Sequence, residues 1–162
     1  MNLKIKTSYS WEELADGTRT KPGSRFLAML EDYVTWSKID TGLPHRYDSV
    51  LAEHELNRPL FLTDAQAKSI SEGLVYLQFA EPFAYRVFWK YYFTGTPISV
   101  MRKNCNFNYE LRSQYSWDGS DEALAFGLKI ARAYLFDYIC LLAKKEKEEK
   151  SKKINKRNQR RR

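Results

Sequence analysis

The sequence predicts an all-α protein with one globular, multi-helix body and a short basic C-terminal tail. Three observations predict this class: helix-start signals recur along the chain, apolar residues between them follow helical spacing, and strand patterns are weak. The 162 residues are 43% hydrophobic and 15% aromatic, enough to build a core, which excludes a wholly disordered chain. We expect the body to span residues 1–143 and the tail to span residues 144–162.

Two capping boxes, each a Ser or Thr followed three residues later by Glu or Gln, mark helix starts in the first half of the chain. The sequence S-W-E-E from Ser10 opens a short helix that Asp16-Gly17 closes, and T-D-A-Q from Thr63 opens a helix to about Leu77. Apolar residues at helical spacing predict two further helices between these points, over about 24–41 and about 46–56.

Proline and glycine set the helix limits in the second half. Pro82 predicts the start of a helix that Gly95 ends, because proline at the first helical position lacks an N–H that would be unpaired anyway. The last helix starts at Asp121, and its apolar residues recur at alternating steps of four and three. We interpret this seam as packing into the body, with an intermolecular coil as the alternative; its residues are Leu124, Leu128, Ala131, Leu135, Tyr138 and Leu142.

Residues 97–117 have the layout of a helix-turn-helix. Pro97 starts a short helix, a polar turn follows over 105–108, and Asn108 caps a second helix to about Trp117. Such a motif places its second helix in the major groove, where Arg pairs with guanine and Asn or Gln with adenine. The alternative is a polar surface loop between two core helices. We predict DNA contacts from Arg102, Lys103, Asn104, Asn106, Asn108, Tyr109, Arg112, Ser113 and Gln114.

The net charge of +7 belongs to the tail and not to the body. Residues 144–162 hold 11 Lys/Arg and 3 Glu, which leaves a net charge of −1 for the rest of the chain. Because the tail is so poor in apolar residues, we expect it to be frayed or disordered. It would bind phosphates independently of sequence, or else serve only for solubility. The predicted phosphate contacts are Lys152, Lys153, Lys156, Arg157, Arg160, Arg161 and Arg162.

The sequence has no catalytic or metal-binding motif. Its two histidines, His45 and His54, lie outside H-E-x-x-H spacing, its cysteines, Cys105 and Cys140, form no C-x-x-C pair, and no phosphate-binding glycine motif occurs. We therefore expect a non-enzymatic protein without a cofactor. No apolar run approaches the ~18 residues that a membrane span needs, and the N-terminus lacks a signal-peptide pattern, so we expect a cytoplasmic protein.

Over essentially its whole length, the chain resembles the late antitermination Q proteins of lambdoid bacteriophages, of the phage 21 type. The resemblance is best over residues 62–139, where L-T-D-A-Q-A-K-S-I-S-E-G-L precedes Y-Y-F-T-G-T-P-I-S-V-M-R-K-N, and A-L-A-F-G-L-K-I-A-R-A-Y-L follows. Other phage regulators that resemble sigma region 4 share this layout. The lambda-type Q protein carries a cysteine zinc site, which this sequence cannot build.

The resemblance implies a transcription antitermination factor of a bacterial host cell. Such a factor binds a DNA element near a late promoter as two copies, and loads onto paused RNA polymerase while sigma is present. It then suppresses pausing and termination by modifying the RNA-exit channel, where nascent RNA is a further expected partner. Two alternatives stay open: a helix-turn-helix regulator that acts by promoter occupancy, and an RNA-binding protein led by the basic tail.

Overall fold

Side chains that cap backbone N–H groups set the helix starts. Ser10 Oγ accepts a hydrogen bond from the backbone N–H of Glu13 at 3.2 Å, and the Glu13 carboxylate accepts one from the N–H of Ser10 at 3.4 Å. Thr63 and Gln66 form the same reciprocal pair at 3.1 Å each. Both capping boxes predicted from the sequence are therefore confirmed.

A computed structural model describes residues 9–40 and 62–162 and confirms the all-α class. The predicted helix over 46–56 and both histidines lie outside these residues. The seven helices of the described part are α1 (Trp11–Leu14), α2 (Ser24–Asp40), α3 (Asp64–Ala80), α4 (Pro82–Tyr92), α5 (Ile98–Met101), α6 (Cys105–Tyr115) and α7 (Asp121–Arg160).

Helix α7 is the centre of the packing. It contacts α1, α3, α4 and α5, while α2 packs on α1 and α3. The seam predicted along α7 lies inside the body: Leu124, Leu128, Ala131 and Leu135 are buried, and Tyr138 and Leu142 are partly buried. The interpretation of this seam as a core-packing face is therefore confirmed.

Helix α3 carries a glycine at a point where it packs on α7. Gly73 is buried, and a Cβ atom placed on it would lie 2.7 Å from Cδ1 of Tyr138 on α7. This separation is too short for two carbon atoms, so the packing of α3 on α7 needs a residue without a side chain at this point.

The basic C-terminal segment differs from the expectation of a frayed or disordered tail, because α7 continues through it to Arg160. Extending an existing helix avoids the cost of nucleation, and Lys, Glu, Arg and Gln favour helix. The body also extends past residue 143. The backbone N–H of Trp11 donates to Glu146 Oε2 at 3.2 Å, and Lys147 Nζ lies 3.1 Å from Glu12 Oε1.

Within the described ranges, none of the helices combines the length and the apolar character that crossing a bilayer would require. α7 has the length, but its C-terminal third is dominated by charged residues.

Candidate nucleic-acid interface

The second helix of the predicted helix-turn-helix begins earlier than its sequence suggested. The Asn104 side chain accepts a hydrogen bond from the backbone N–H of Phe107 at 3.1 Å and caps α6, which begins at Cys105. The predicted polar turn over 105–108 is therefore wrong, because these residues form the first turn of α6. α6 also ends at Tyr115 and not near Trp117, since Ser116 adopts a left-handed conformation with φ of 54°.

Two buried side chains determine which face of α6 points inward. Phe107 and Leu111 lie four residues apart and are 3% and 0% exposed. Residues four apart share a helix face, so this pair fixes the rotation of α6 against the body. Asn104 followed by this apolar pair is the sequence signal that places the helix start correctly, and it competes with Asn108, which is an equally suitable capping residue by type.

An ion pair that the sequence did not reveal joins α6 to α4. Arg86 Nε and Nη2 donate to the two carboxylate oxygens of Glu110 at 2.6 and 3.0 Å. The Arg86 guanidinium carbon also lies 5.1 Å from the ring centroid of Trp89 and 5.9 Å from that of Phe107. A bidentate contact of this kind holds both partners in one orientation. The ion pair therefore stabilises the position of α6 in addition to its buried side chains.

The outer face of α6 gathers several of the predicted DNA contacts. At about 100° per residue, Asn106, Tyr109, Arg112 and Ser113 fall within an arc of about 120°. All four are exposed, Tyr109 by 76%. Exposed Lys103 lies in the turn just before the helix. Gln114 is also exposed but lies about 140° around the helix from Tyr109.

The remaining predicted contacts have partners within the chain. The Asn108 amide nitrogen donates to the backbone oxygen of Arg102 at 2.9 Å, and its oxygen accepts from Arg112 Nε at 2.7 Å. Arg102 Nε lies 3.6 Å from Asp121 Oδ1. The side chains of Asn104 and Asn108 therefore hold the turn and the helix together. On the outer face, the Ser113 hydroxyl also donates a hydrogen bond within the chain, to the backbone oxygen of Glu110 at 3.3 Å.

Arg112 is the most constrained exposed cation of the interface. Its guanidinium carbon lies 5.6 Å from the ring centroid of Trp117, and a Cβ atom on Gly119 would lie 2.6 Å from its Nη2 atom. With Nε bound to Asn108, the two terminal nitrogens remain as a planar pair of donors. Such a pair matches the two acceptors of guanine or two phosphate oxygens.

The turn beside Arg112 carries a carboxylate. Asp118 Oδ1 accepts hydrogen bonds from the backbone N–H of Ser120 at 2.9 Å and from its hydroxyl at 2.8 Å. These bonds, the backbone one first, hold the pKa of Asp118 below its ordinary 3.8, with a smaller contribution from Arg112. The ionised carboxylate thus fixes the turn that leads into α7.

The seven basic residues predicted to contact phosphate lie beyond the body. Lys152, Lys153, Lys156, Arg157 and Arg160 belong to α7, and Arg161 and Arg162 follow it; all seven are exposed. They lie on a different element from the outer face of α6, so the chain carries two separate candidate surfaces.

No metal site accompanies these surfaces in the part of the chain that the structure describes, where no three His, Cys, Asp or Glu side chains group together. Comparisons with models of protein families, with curated proteins and with solved structures found no match.

Proposed function

We propose that this chain is a phage transcription antitermination factor that binds DNA near a late promoter and acts on the RNA polymerase paused there. The observation that carries the DNA-binding part is the outer face of α6. There, Asn106, Tyr109, Arg112 and Ser113 stand exposed together on a helix that Arg86 braces through Glu110. Such a face is suited to rigid insertion into a groove.

In this proposal α6 lies in the major groove. The groove is about 12 Å wide and admits one helix. Arg112 would donate its two terminal nitrogens to guanine, and Asn106 would pair with adenine. Lys103, Tyr109 and Ser113 would bind phosphates and set the position of the helix on the duplex. Because Asn108 and Trp117 already hold Arg112, little side-chain freedom is lost on binding.

The polymerase step is supported by the resemblance over residues 62–139 and by an apolar face. Val75, Tyr76 and Phe79 on α3 are 50%, 54% and 81% exposed. Large exposed apolar side chains that lie close together are typical of protein-binding surfaces. We assign this face to polymerase contact, so that the factor stays with the enzyme after it leaves the promoter and changes the RNA-exit channel by occupancy, without covalent chemistry.

A second candidate is a regulator that acts by promoter occupancy alone. The outer face of α6 favours it equally, because DNA binding by α6 needs no polymerase. A third candidate, an RNA-binding protein led by the tail, is favoured by the concentration of charge beyond the body.

Single-round transcription with purified bacterial RNA polymerase tests the proposal. The template carries a phage late promoter, its pause region and a downstream terminator, and the readout is the fraction of transcripts that pass the terminator. We expect added protein to raise this fraction only on templates that keep the promoter-proximal DNA element. Binding to that element with unchanged termination would instead support the promoter-occupancy regulator.

A matched pair of variants on α6 sharpens this experiment. Arg112→Ala removes a cation from the outer face, whereas Gln114→Ala removes an exposed polar side chain about 140° from Tyr109 on the same helix. Read-through should fall with Arg112→Ala and persist with Gln114→Ala. Loss that depends on residues 144–162 but not on Arg112 would favour the RNA-binding candidate.

A further inference from the structure

The exposed end of α7 and the two arginines that follow it form what we call the basic arm (residues 151–162), and the five charges of its helical part lie on one side. At about 100° per residue, Lys152, Lys156, Arg160, Lys153 and Arg157 fall within an arc of about 140°. These five residues form the basic stripe. The opposite side of the same segment carries uncharged side chains: Ser151, Ile154, Asn155, Asn158 and Gln159.

Two carboxylates border the basic stripe, since Glu148 and Glu149 lie four residues before Lys152 and Lys153 on the same helix. The last acidic residue of the chain is Glu149, and the last ion pair along α7 joins Lys150 to Glu146 at 3.2 Å. Among the described residues, no ion pair involves any member of the stripe, and all five are exposed. The stripe therefore holds five charges that an external anion can neutralise without breaking a contact within the protein.

The arm also has a fixed connection to the body. Ala143 is the last buried residue of α7, and the helix continues for 17 residues to Arg160, about 25 Å further at 1.5 Å per residue. Because the helix is continuous, the stripe stands at a set distance and a set angle from the core.

We propose that the basic stripe is a preformed binding face for the phosphate backbone of double-stranded DNA, contacted by the arm as a helix. The five charges span about 12 Å along the helix, a mean spacing of about 3 Å. Each strand of duplex DNA presents about one charge per 3.4 Å of axis, close to the spacing of the stripe, and both strands together present one per about 1.7 Å, so a duplex attracts the stripe more strongly than a single strand does. Restriction of the charges to one side fits contact with one backbone rather than insertion between two.

This inference rests on the proposed DNA binding and extends it with a second contact that is independent of sequence. Its test therefore uses duplex DNA of arbitrary sequence, on which recognition by α6 contributes little. The measurement is the slope of log binding constant against log salt concentration, between about 50 and 200 mM, for the full-length chain.

Two variants separate charge from its placement. The first replaces the five stripe residues with Gln. The second keeps the composition and net charge but moves three charges to the opposite side, by Ser151→Lys with Lys152→Ser, Asn155→Arg with Arg157→Asn, and Asn158→Lys with Lys156→Asn. Far-UV circular dichroism checks that both variants keep the helix content of the parent.

Each phosphate contact contributes about 0.9 to the magnitude of the slope. We therefore expect the magnitude to fall by about 4.5 in the first variant, which loses five charges, and by about 2.7 in the second, which moves three. A second variant that binds like the parent would show that only composition matters and would overturn the preformed face. So would an unchanged first variant, or tighter binding to an RNA duplex or a single strand of the same sequence.

Arg112→Ala distinguishes this result from failure of the proposed function. It should leave the salt slope on arbitrary duplex DNA close to that of the parent, because Arg112 belongs to α6 and not to the arm. If the protein shows the expected salt slope but does not raise terminator read-through, the proposal for the arm stands and the antitermination proposal fails.

Discussion

Arg86 on α4 holds Glu110 on α6 by two hydrogen bonds, of 2.6 and 3.0 Å, while its guanidinium lies over the ring of Trp89. This ion pair is partly buried, since the two side chains are 26% and 28% exposed. It links the helix that carries the candidate DNA face to the helix that packs most extensively on α7.

Breaking this pair should reduce stability by a moderate amount. Arg86→Ala and Glu110→Ala should each lower the free energy of unfolding by about 1–2 kcal/mol, more than an exposed pair and less than a fully buried one. A double-mutant cycle by urea unfolding measures the coupling, which we expect to be about 1 kcal/mol. Purely additive effects of the two substitutions would show that the pair does not brace α6.

Arg112→Ala should weaken binding to specific DNA by about 1–3 kcal/mol and change binding to arbitrary DNA little, because base contacts are lost and phosphate contacts are kept. The specific site is obtained by selection from a random duplex pool with the parent protein. Gln114→Ala serves as the control and should leave both affinities unchanged. Equal losses on both duplexes with Arg112→Ala would refute base recognition by this side chain.

Gly73→Ala should destabilise the body by about 1 kcal/mol. The new Cβ atom would meet the Tyr138 ring at 2.7 Å, an overpacking cost of about 1–3 kcal/mol, against which alanine gains about 1 kcal/mol of helix propensity. In a Tyr138→Ala background the clash is removed, so the same substitution should stabilise by about 1 kcal/mol. Thermal unfolding of the four proteins measures this change of sign; the same sign in both backgrounds would contradict it.

The turn before α7 should give a pH dependence below pH 3.8. Because the pKa of Asp118 is lowered in the folded chain, its ionised form stabilises the fold above 3.8, and this stabilisation is lost as pH falls through the lowered value. NMR titration of the carboxyl carbon should give a midpoint below 3.8. The stability difference from Asp118→Asn should also shrink with falling pH, and a midpoint at or above 3.8 would exclude this origin.

Local signals in the sequence predicted most helix limits correctly. The capping boxes at Ser10 and Thr63, and Pro82 at a first helical position, each satisfy backbone requirements with residues close in sequence, so they can be recognised without tertiary information. The seam of α7 was predictable for a related reason, because a regular apolar spacing has few ways to be buried.

The capping residues alone did not predict the start of α6, because Asn104 and Asn108 are equally good caps by residue type. Burial of Phe107 decides between them, and that burial depends on the packing of α6 against other helices. The pair of Arg86 and Glu110 joins residues 24 apart in sequence, a separation at which charge pattern alone identifies no partner. The polar and basic residues of the outer face, in contrast, could be proposed as DNA contacts from their residue types alone.

The helical state of residues 144–160 also escaped the sequence argument, which used composition to judge whether the segment could bury a core. Composition describes the segment as if it were separate from the rest of the chain. It is instead the continuation of a packed helix, and its own residues favour helix, so the cost of nucleation is met by the body.

Because α7 is one uninterrupted helix of 40 residues, the body and its basic end share a single helical phase. Adding two residues between Ala143 and Lys152 would turn everything beyond by about 200°, so that the charged side faces the opposite way. Adding seven would nearly restore the direction, about 20° short, while moving that side outward by about 10 Å. The length of this segment thus sets both the direction in which the charged side faces and its distance from the body. A flexible connection of equal composition would set neither.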